Sequence, residues 1–235
     1  MKTLSLEEAK KIMQKNNGNL NLSFTKIREL PEGLTVNGNL DLSFTKIREL
    51  PKGLTVKGNL DLGDTSIIEL PEDLTVDGKL ILVRSSIEKL PDNLTVGGDL
   101  ALAITKIKEL PRNLVVYGTC CFNNTQLKRL PKDLKVKGDI RIDNSDVEEI
   151  PDDFSIGGYL DARNAPIKKL PKGLKIGRFL DIRDSALEYL PEDLMAKSLP
   201  EDLTVHDKIV CNCDFKFAYR KLNSNSKFLK QLFIY

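Results

Sequence analysis

A single twenty-residue phrase recurs from residue 20 to residue 190 without a slip in register, and nothing else in the chain constrains its fold so tightly. The phrase is L-x-L-x-x-T-x-I-x-x-L-P-x-x-L-x-V-x-G-x, as in Leu40-Asp41-Leu42, Thr45, Ile47, Leu50-Pro51, Leu54, Val56 and Gly58. Self-similarity at this period marks a solenoid, in which a unit too small to bury its own apolar face is covered by the copies on either side. One column runs Leu20, Leu40, Leu60, Leu80, Leu100, Cys120, Ile140, Leu160, Leu180. The next runs Leu22, Leu42, Leu62, Leu82, Leu102, Phe122, Ile142, Ala162, Ile182. The alternation x-L-x-L-x predicts a short half-buried strand with these side chains inward. Ile47, Leu50, Leu54, Val56 and their equivalents complete the interior.

Three further columns carry local geometry. Thr25, Thr45, Thr65, Ser85, Thr105, Thr125, Ser145 and Ser185 place a hydroxyl at the end of each strand except at Ala165, and are expected to bond turn backbone of adjacent coils. Two residues after each proline stand only Gly, Asn and Asp (Gly33, Gly53, Asp73, Asn93, Asn113, Asp133, Asp153, Gly173, Asp193), which predicts positive φ there. Gly38 and its equivalents to Gly158 mark a second corner, which Arg178 breaks. Leu-Pro discourages a helix on the outer side, which is expected to be extended or polyproline-like.

With these columns in place, the phrase resembles the leucine-rich repeat, with Thr where the common form of that repeat has Asn. The twenty-residue length and the Leu-Pro pair resemble the short bacterial class found in secreted effectors of pathogens. The resemblance covers residues 19 to 211, and implies a leucine-rich repeat solenoid with a parallel β-sheet on one face and short helical caps. It departs at the start of the motif: Asn37, Lys57 and Asp77 stand where the family has Leu, and Val36, Val56 and Val76 lie one residue earlier. Leu34, Val36, Gly38, Leu40 and Leu42 alternate as two strands bent at a glycine would, so a β-helix-like coil is the alternative architecture.

The ends depart from the repeat. Residues 1–18 read as an N-terminal helical cap: Ser5-x-x-Glu8 fits a capping box, and Leu6, Ala9, Ile12 and Met13 share a helical face. Residues 19–211 form the solenoid, nine regular repeats plus an irregular tenth. Residues 212–235 hold Phe215, Phe217, Tyr219, Phe228, Phe233 and Tyr235 and read as an aromatic C-terminal cap. Leu190-Pro191-Glu192-Asp193-Leu194 recurs as Leu199-Pro200-Glu201-Asp202-Leu203, which predicts a bulging loop that delays the tenth strand.

Lys and Arg total 36 against 34 acids, a net charge of +2, which argues against nucleic acid or an anionic membrane as the main partner. No stretch has signal-peptide or membrane-spanning character, so the expected location is cytoplasmic, or secreted by a route without a recognisable signal peptide. Cys120, Cys121, Cys211 and Cys213 are expected to be structural thiols and not a zinc site, because stacking at about 4.8 Å per coil separates the two pairs by roughly 20 Å. His206 has no nucleophile in register, and no phosphate-cradling glycine loop is present. No cofactor, metal or catalytic constellation is therefore expected.

The outward strand positions, three per repeat, hold the functional signal. They run from Asn19, Asn21 and Ser23 through an apolar middle of Ile81, Val83, Ala101, Ala103 and Cys121 to a zone of aromatics and charge. That zone holds Arg141, Tyr159, Asp161, Arg163, Phe179, Asp181 and Arg183, with Arg141–Asp161 and Asp143–Arg163 expected to pair across coils. Arginine, aromatics and a contiguous apolar patch are the features of a binding face. The expected function is a non-enzymatic module that binds a protein partner, with no small-molecule substrate. A structural scaffold, or weak nucleic-acid binding through the strand-face arginines, is the alternative.

Overall fold

The computed structural model describes residues 2–188 and the strand Met195–Ser198. The repeated Leu199–Leu203 segment, His206, Cys211, Cys213 and the aromatic segment 212–235 lie outside the described residues.

Within the described residues the chain is a parallel β-solenoid. Each coil contributes a two-residue strand built on the first inward leucine, such as Leu40–Asp41 or Leu100–Ala101. These strands pair one coil to the next in unbroken parallel register, Leu20 to Leu40, to Leu60, to Leu80, to Leu100, to Cys120, to Ile140, to Leu160, to Leu180. A second six-stranded parallel sheet runs alongside, from Thr35–Val36 to Lys135–Val136. The bend that the alternating Leu34-to-Leu42 pattern implies is therefore real: one strand carries Val36, the next carries Leu40, and Gly38 lies between them. The outer stretch with Leu-Pro forms turns and isolated bridges without helix, which fits the restriction that proline places on its predecessor.

The glycine at the bend is required by close approach. A Cβ on Gly58 would lie 2.7 Å from the Gly38 carbonyl oxygen, and on Gly138 2.6 Å from that of Gly118. Where Arg178 replaces this glycine the bend is lost, and both strand positions merge into one seven-residue strand, Lys175–Asp181. Its N–H still donates to the Gly158 carbonyl at 3.0 Å, so the ladder survives while the corner straightens.

The inward columns are buried along their whole length; Leu40, Leu60, Leu80, Leu100, Cys120, Ile140, Leu160 and Leu180 are fully enclosed. The open N-terminal edge is covered by the helix α1 (Leu6–Lys15). Its capping box forms as expected, with the Glu8 N–H donating to Ser5 Oγ at 3.2 Å and the Ser5 N–H donating to Glu8 Oε2 at 2.9 Å. Ala9 and Met13 are buried, whereas Leu6 in the first turn is exposed. The strand Lys2–Thr3 pairs in parallel with Ile27–Glu29 and ties the first coil's outer stretch to the cap.

Leu100 packs between Leu80 and Cys120 with no exposure, so Leu100→Ala is expected to cost about 2–5 kcal/mol through the cavity it leaves. Chemical denaturation of both proteins checks it, and a loss below about 1 kcal/mol would show that the column is not packed as described.

Candidate functional site

The three outward positions of each coil are constrained by the fold to different degrees, and the differences locate the candidate surface. In the first column, the Asn19 side chain accepts the N–H of Asn39 at 2.7 Å, Asn39 that of Asn59, and Asn59 that of Lys79, both at 2.8 Å. Asp99 and Asp139 do the same for Thr119 and Tyr159 at 2.9 Å. These side chains complete a backbone ladder that the bend interrupts, so their identity is fixed by folding. Lys79, Thr119, Tyr159 and Phe179 occupy the same column, but their side chains supply no such acceptor.

In the second column, Asn21, Asp41 and Asp61 accept the N–H two residues on, at 2.8–2.9 Å. Asp161 and Asp181 accept those of Arg163 and Arg183 at 3.3 and 3.2 Å. Ile81, Ala101, Cys121 and Arg141 share the register of this column and make no such bond. The outward face is thus partly committed to a demand of the fold. The residues released from that demand are the apolar middle and the aromatics beyond it.

Ile81, Val83, Ala101, Ala103 and Cys121 are each half-exposed on adjacent strands and form a continuous apolar band. Burial pushes the Cys121 thiol up and the Cys120 thiol well up, so both are held as neutral thiols at neutral pH. Beyond the band, the charge pairing differs from the expected one. Arg141 donates to the Tyr159 hydroxyl and lies over its ring, 5.5 Å from the centroid, instead of pairing with Asp161. Arg163 forks onto Asp161 of its own coil at 2.8 and 2.7 Å, not onto Asp143, with Asp181 at 3.7 Å. Arg183 forks onto Asp181 at 2.9 and 2.6 Å. The side chain of the residue two earlier is simply nearer than one in the next coil. Asp161 and Asp181 are 8% and 5% exposed, so they lie beneath the arginines and act on any partner only through them. Tyr159, Phe179 and their neighbours rim a shallow depression of about 320 Å³.

A fourth column was not singled out by the sequence. The residue after the outward three (Phe24, Phe44, Asp64, Arg84, Ile104, Asn124, Asn144, Asn164, Asp184) has φ between 53° and 59° in every coil. It is the third residue of a tight turn whose ends bond, as from the Ser85 N–H to the Leu82 carbonyl at 3.0 Å. Such a turn demands positive φ at that residue. The hydroxyl column reinforces the turn. Thr45, Thr65, Ser85, Thr105, Thr125 and Ser145 donate to the carbonyl three residues earlier in the same coil, at 2.5–2.7 Å, and not to an adjacent coil as expected.

Asn and Asp suit positive φ; Phe, Arg and Ile cost roughly 1–2 kcal/mol there. Yet Phe24 and Phe44 are 75% and 45% exposed and stacked with centroids 4.5 Å apart, and Ile104 is 52% exposed. The Asn run from 124 to 164 was the available signal that Phe24, Phe44, Arg84 and Ile104 stand where the backbone disfavours them.

The proline corner also proves two-valued. Gly33, Gly53, Asn93, Asn113, Asp153 and Gly173 have positive φ, but Asp73 and Asp133 do not. In those two coils the corner closes on itself, Leu74 N–H to Pro71 carbonyl and Leu134 N–H to Pro131 carbonyl at 3.2 Å. The Asp side chains instead accept the N–H groups of Gly53 and Asn113 in the preceding coil.

Among the described residues no cluster of His, Cys, Asp or Glu is arranged to hold a metal ion, and no helix is long and apolar enough to cross a membrane. No family model and no curated protein matches the chain. Among solved structures it is similar to YopM from Yersinia enterocolitica WA-314, with a TM-score of 0.51 and 20% sequence identity. The match covers 83% of this chain and 46% of the YopM chain, so the chain spans less than half the length of that structure. The chain folds as a leucine-rich repeat solenoid. The likeness is one of architecture, and the surface described above is read on this solenoid's own residues.

Ile104 bears the turn strain with a β-branched side chain that is 52% exposed, so burial offsets little of it. Ile104→Asn is expected to raise unfolding free energy by about 1 kcal/mol, and an unchanged or lower denaturation midpoint would contradict this account of the turn. Asp181 has the opposite character. Burial works against its charged form, but hydrogen bonds from the Arg183 side chain and N–H, with the charges of Arg183 and Arg163, hold its pKa below the usual value for an aspartate. A depressed carboxylate stabilises the fold fully above its unfolded-state pKa and loses that contribution as pH falls through the folded-state value. Asp181→Asn is thus expected to destabilise the solenoid by about 1–3 kcal/mol at pH 7, with the gap from wild type closing below pH 3.8. Denaturant midpoints of both proteins across that range check it.

Proposed function

We propose that the solenoid is a non-enzymatic module that binds a protein partner through its strand face. The observation that carries this reading is that Ile81, Ala101, Arg141, Tyr159 and Phe179 occupy outward positions whose neighbours in the same columns have side chains committed to accepting backbone hydrogen bonds, while their own side chains are not. Half-exposed apolar and aromatic side chains at positions the fold leaves open need another reason to be there, and a protein surface supplies one.

Within that surface the residues divide by role. Ile81, Val83 and Ala101 offer a flat apolar band; Tyr159 and Phe179 offer larger anchors beside a depression. Arg163 and Arg183, held by the buried Asp161 and Asp181, present donors already fixed in direction. A guanidinium whose carboxylate partner is built into its own coil loses little freedom on binding, and favours recognition of backbone carbonyls or polar side chains over wholesale charge neutralisation. The same pairing argues against the nucleic-acid reading, since phosphate would compete with an aspartate already in place.

Affinity capture from native extract, followed by titration of the captured protein with purified variants, tests the proposal. Tyr159→Ala combined with Phe179→Ala is expected to weaken binding by about 2 kcal/mol or more without lowering the melting temperature appreciably. Ile81→Glu should do likewise, by placing a charge in the apolar band. Unchanged affinity in both variants would remove the strand face as the site. A binding constant for single-stranded or duplex nucleic acid that falls steeply with salt would move the assignment to that class.

A further inference from the structure

The strained end of the turn column points to a second contact surface, separate from the apolar band. In the first two coils the sequence Phe-Thr-Lys-Ile-Arg-Glu is repeated at 24–29 and 44–49. Exposure alternates along it: Phe24, Lys26 and Arg28 are outward and Ile27 is buried, and Phe44, Lys46 and Arg48 are outward while Thr45 and Ile47 are buried. The stretch Ile27–Glu29 is held as a strand by Lys2–Thr3, so the first of these rows is fixed by backbone pairing. Two coils one ladder step apart thus present a tile of two rings, then two lysines, then two arginines.

Several observations set this tile apart. The rings stack on each other with planes 9° apart, and Phe24 is 75% exposed although one of its faces meets Phe44. Both hold the positive-φ turn position, where Asn serves in coils 124, 144 and 164. Burial does not explain the choice of Phe over Asn. As is common for cations among the described residues, Lys26, Arg28, Lys46 and Arg48 make no ion pair, but these four stand together in two adjacent rows beside the stacked rings.

We infer that this tile is a docking surface for an acidic protein segment that carries an aromatic side chain. The free face of Phe24 continues the stack with a third ring, and the four unpaired cations receive the acidic residues that follow. Directionality comes from the order ring, lysine, arginine within each coil. A nucleic acid would also stack and pair, and comparison with oligothymidylate separates it from an acidic peptide. The surface adds to the strand-face reading and stands or falls apart from it.

The chain contains no tryptophan, so a peptide tryptophan reports its own surroundings. A short synthetic peptide with a tryptophan followed by a run of glutamates is titrated with the whole chain and its emission followed. A saturable blue shift is expected with wild type, with affinity reduced at least about tenfold in Phe24→Asn/Phe44→Asn and several-fold in Arg28→Ser/Arg48→Ser. The Asn pair should keep or raise the melting temperature, because it relieves turn strain. Ile81→Glu should leave peptide binding unchanged, which separates this surface from the apolar band. The inference is overturned by no saturable shift with wild type, or by equal affinity in the Asn pair. It is equally overturned by a melting temperature lowered by more than about 4 °C in that pair, which would make the rings packing elements, or by oligothymidylate binding more tightly than the peptide.

Discussion

Every coil of this solenoid is held to the next by backbone hydrogen bonds that step by one repeat, and the rest of the structure follows from keeping that step unbroken. Leu20, Leu40, Leu60, Leu80 and Leu100 each donate an N–H to a carbonyl nineteen positions on, at 2.8–2.9 Å. Coils set at hydrogen-bond distance leave no room for a Cβ at the bend, so glycine stands there. They also require the chain to leave the strand while its next N–H still points along the stack, as in Phe44 to Gly63 and Ile104 to Asn123. That need imposes positive φ on the turn column. The leucines fill the space the ladder encloses, but the ladder sets its dimensions.

A surface built this way is half occupied by its own scaffolding. The outward Asn and Asp side chains are not decoration on a neutral sheet; they supply acceptors where the bend and the turn leave an N–H unmatched. What a partner can read is what remains after those demands are met. The middle coils meet them least, with Ile81, Ala101, Cys121 and Arg141 in place of an acceptor, and there the exposed surface is apolar. In the last coils the acceptors return as Asp161 and Asp181, and each is used twice, by a backbone N–H and by an arginine. One carboxylate thereby closes a turn and aims a guanidinium.

The sequence makes the architecture legible because a period of twenty with inward leucines admits few solutions, and the Leu34-to-Leu42 alternation even shows the second ladder. It leaves the direction of side-chain hydrogen bonds hidden. Thr45 and Ser85 could reach across coils or back three residues with the same composition, and only the turn geometry decides for the latter. Arg163 had Asp143, Asp161 and Asp181 within one coil step, and the choice of Asp161 depends on a distance no pattern encodes. Phe24 and Phe44 were overlooked for a different reason. A column of mixed Phe, Asp, Arg, Ile and Asn looks unconstrained until the backbone shows that its Asn members are the natural ones.

Solenoids couple mainly neighbouring coils, so surfaces on separate coils can change with little cost to one another. The turn column shows this independence. Its later members have the residues that the backbone prefers, while its first five include Phe24, Phe44, Arg84 and Ile104, which it does not. If the column answered only to folding, the same residues should recur along its length, because the turn is the same in each coil. Their segregation toward the N-terminal half accords with the docking surface inferred on Phe24 and Phe44. Arg84 is matched within the chain itself, forking onto Asp64 of the preceding coil and lowering the pKa of that carboxylate. Phe24, Phe44 and Ile104 place apolar surface in solvent at a strained position, and neither the core nor the turn gains from it.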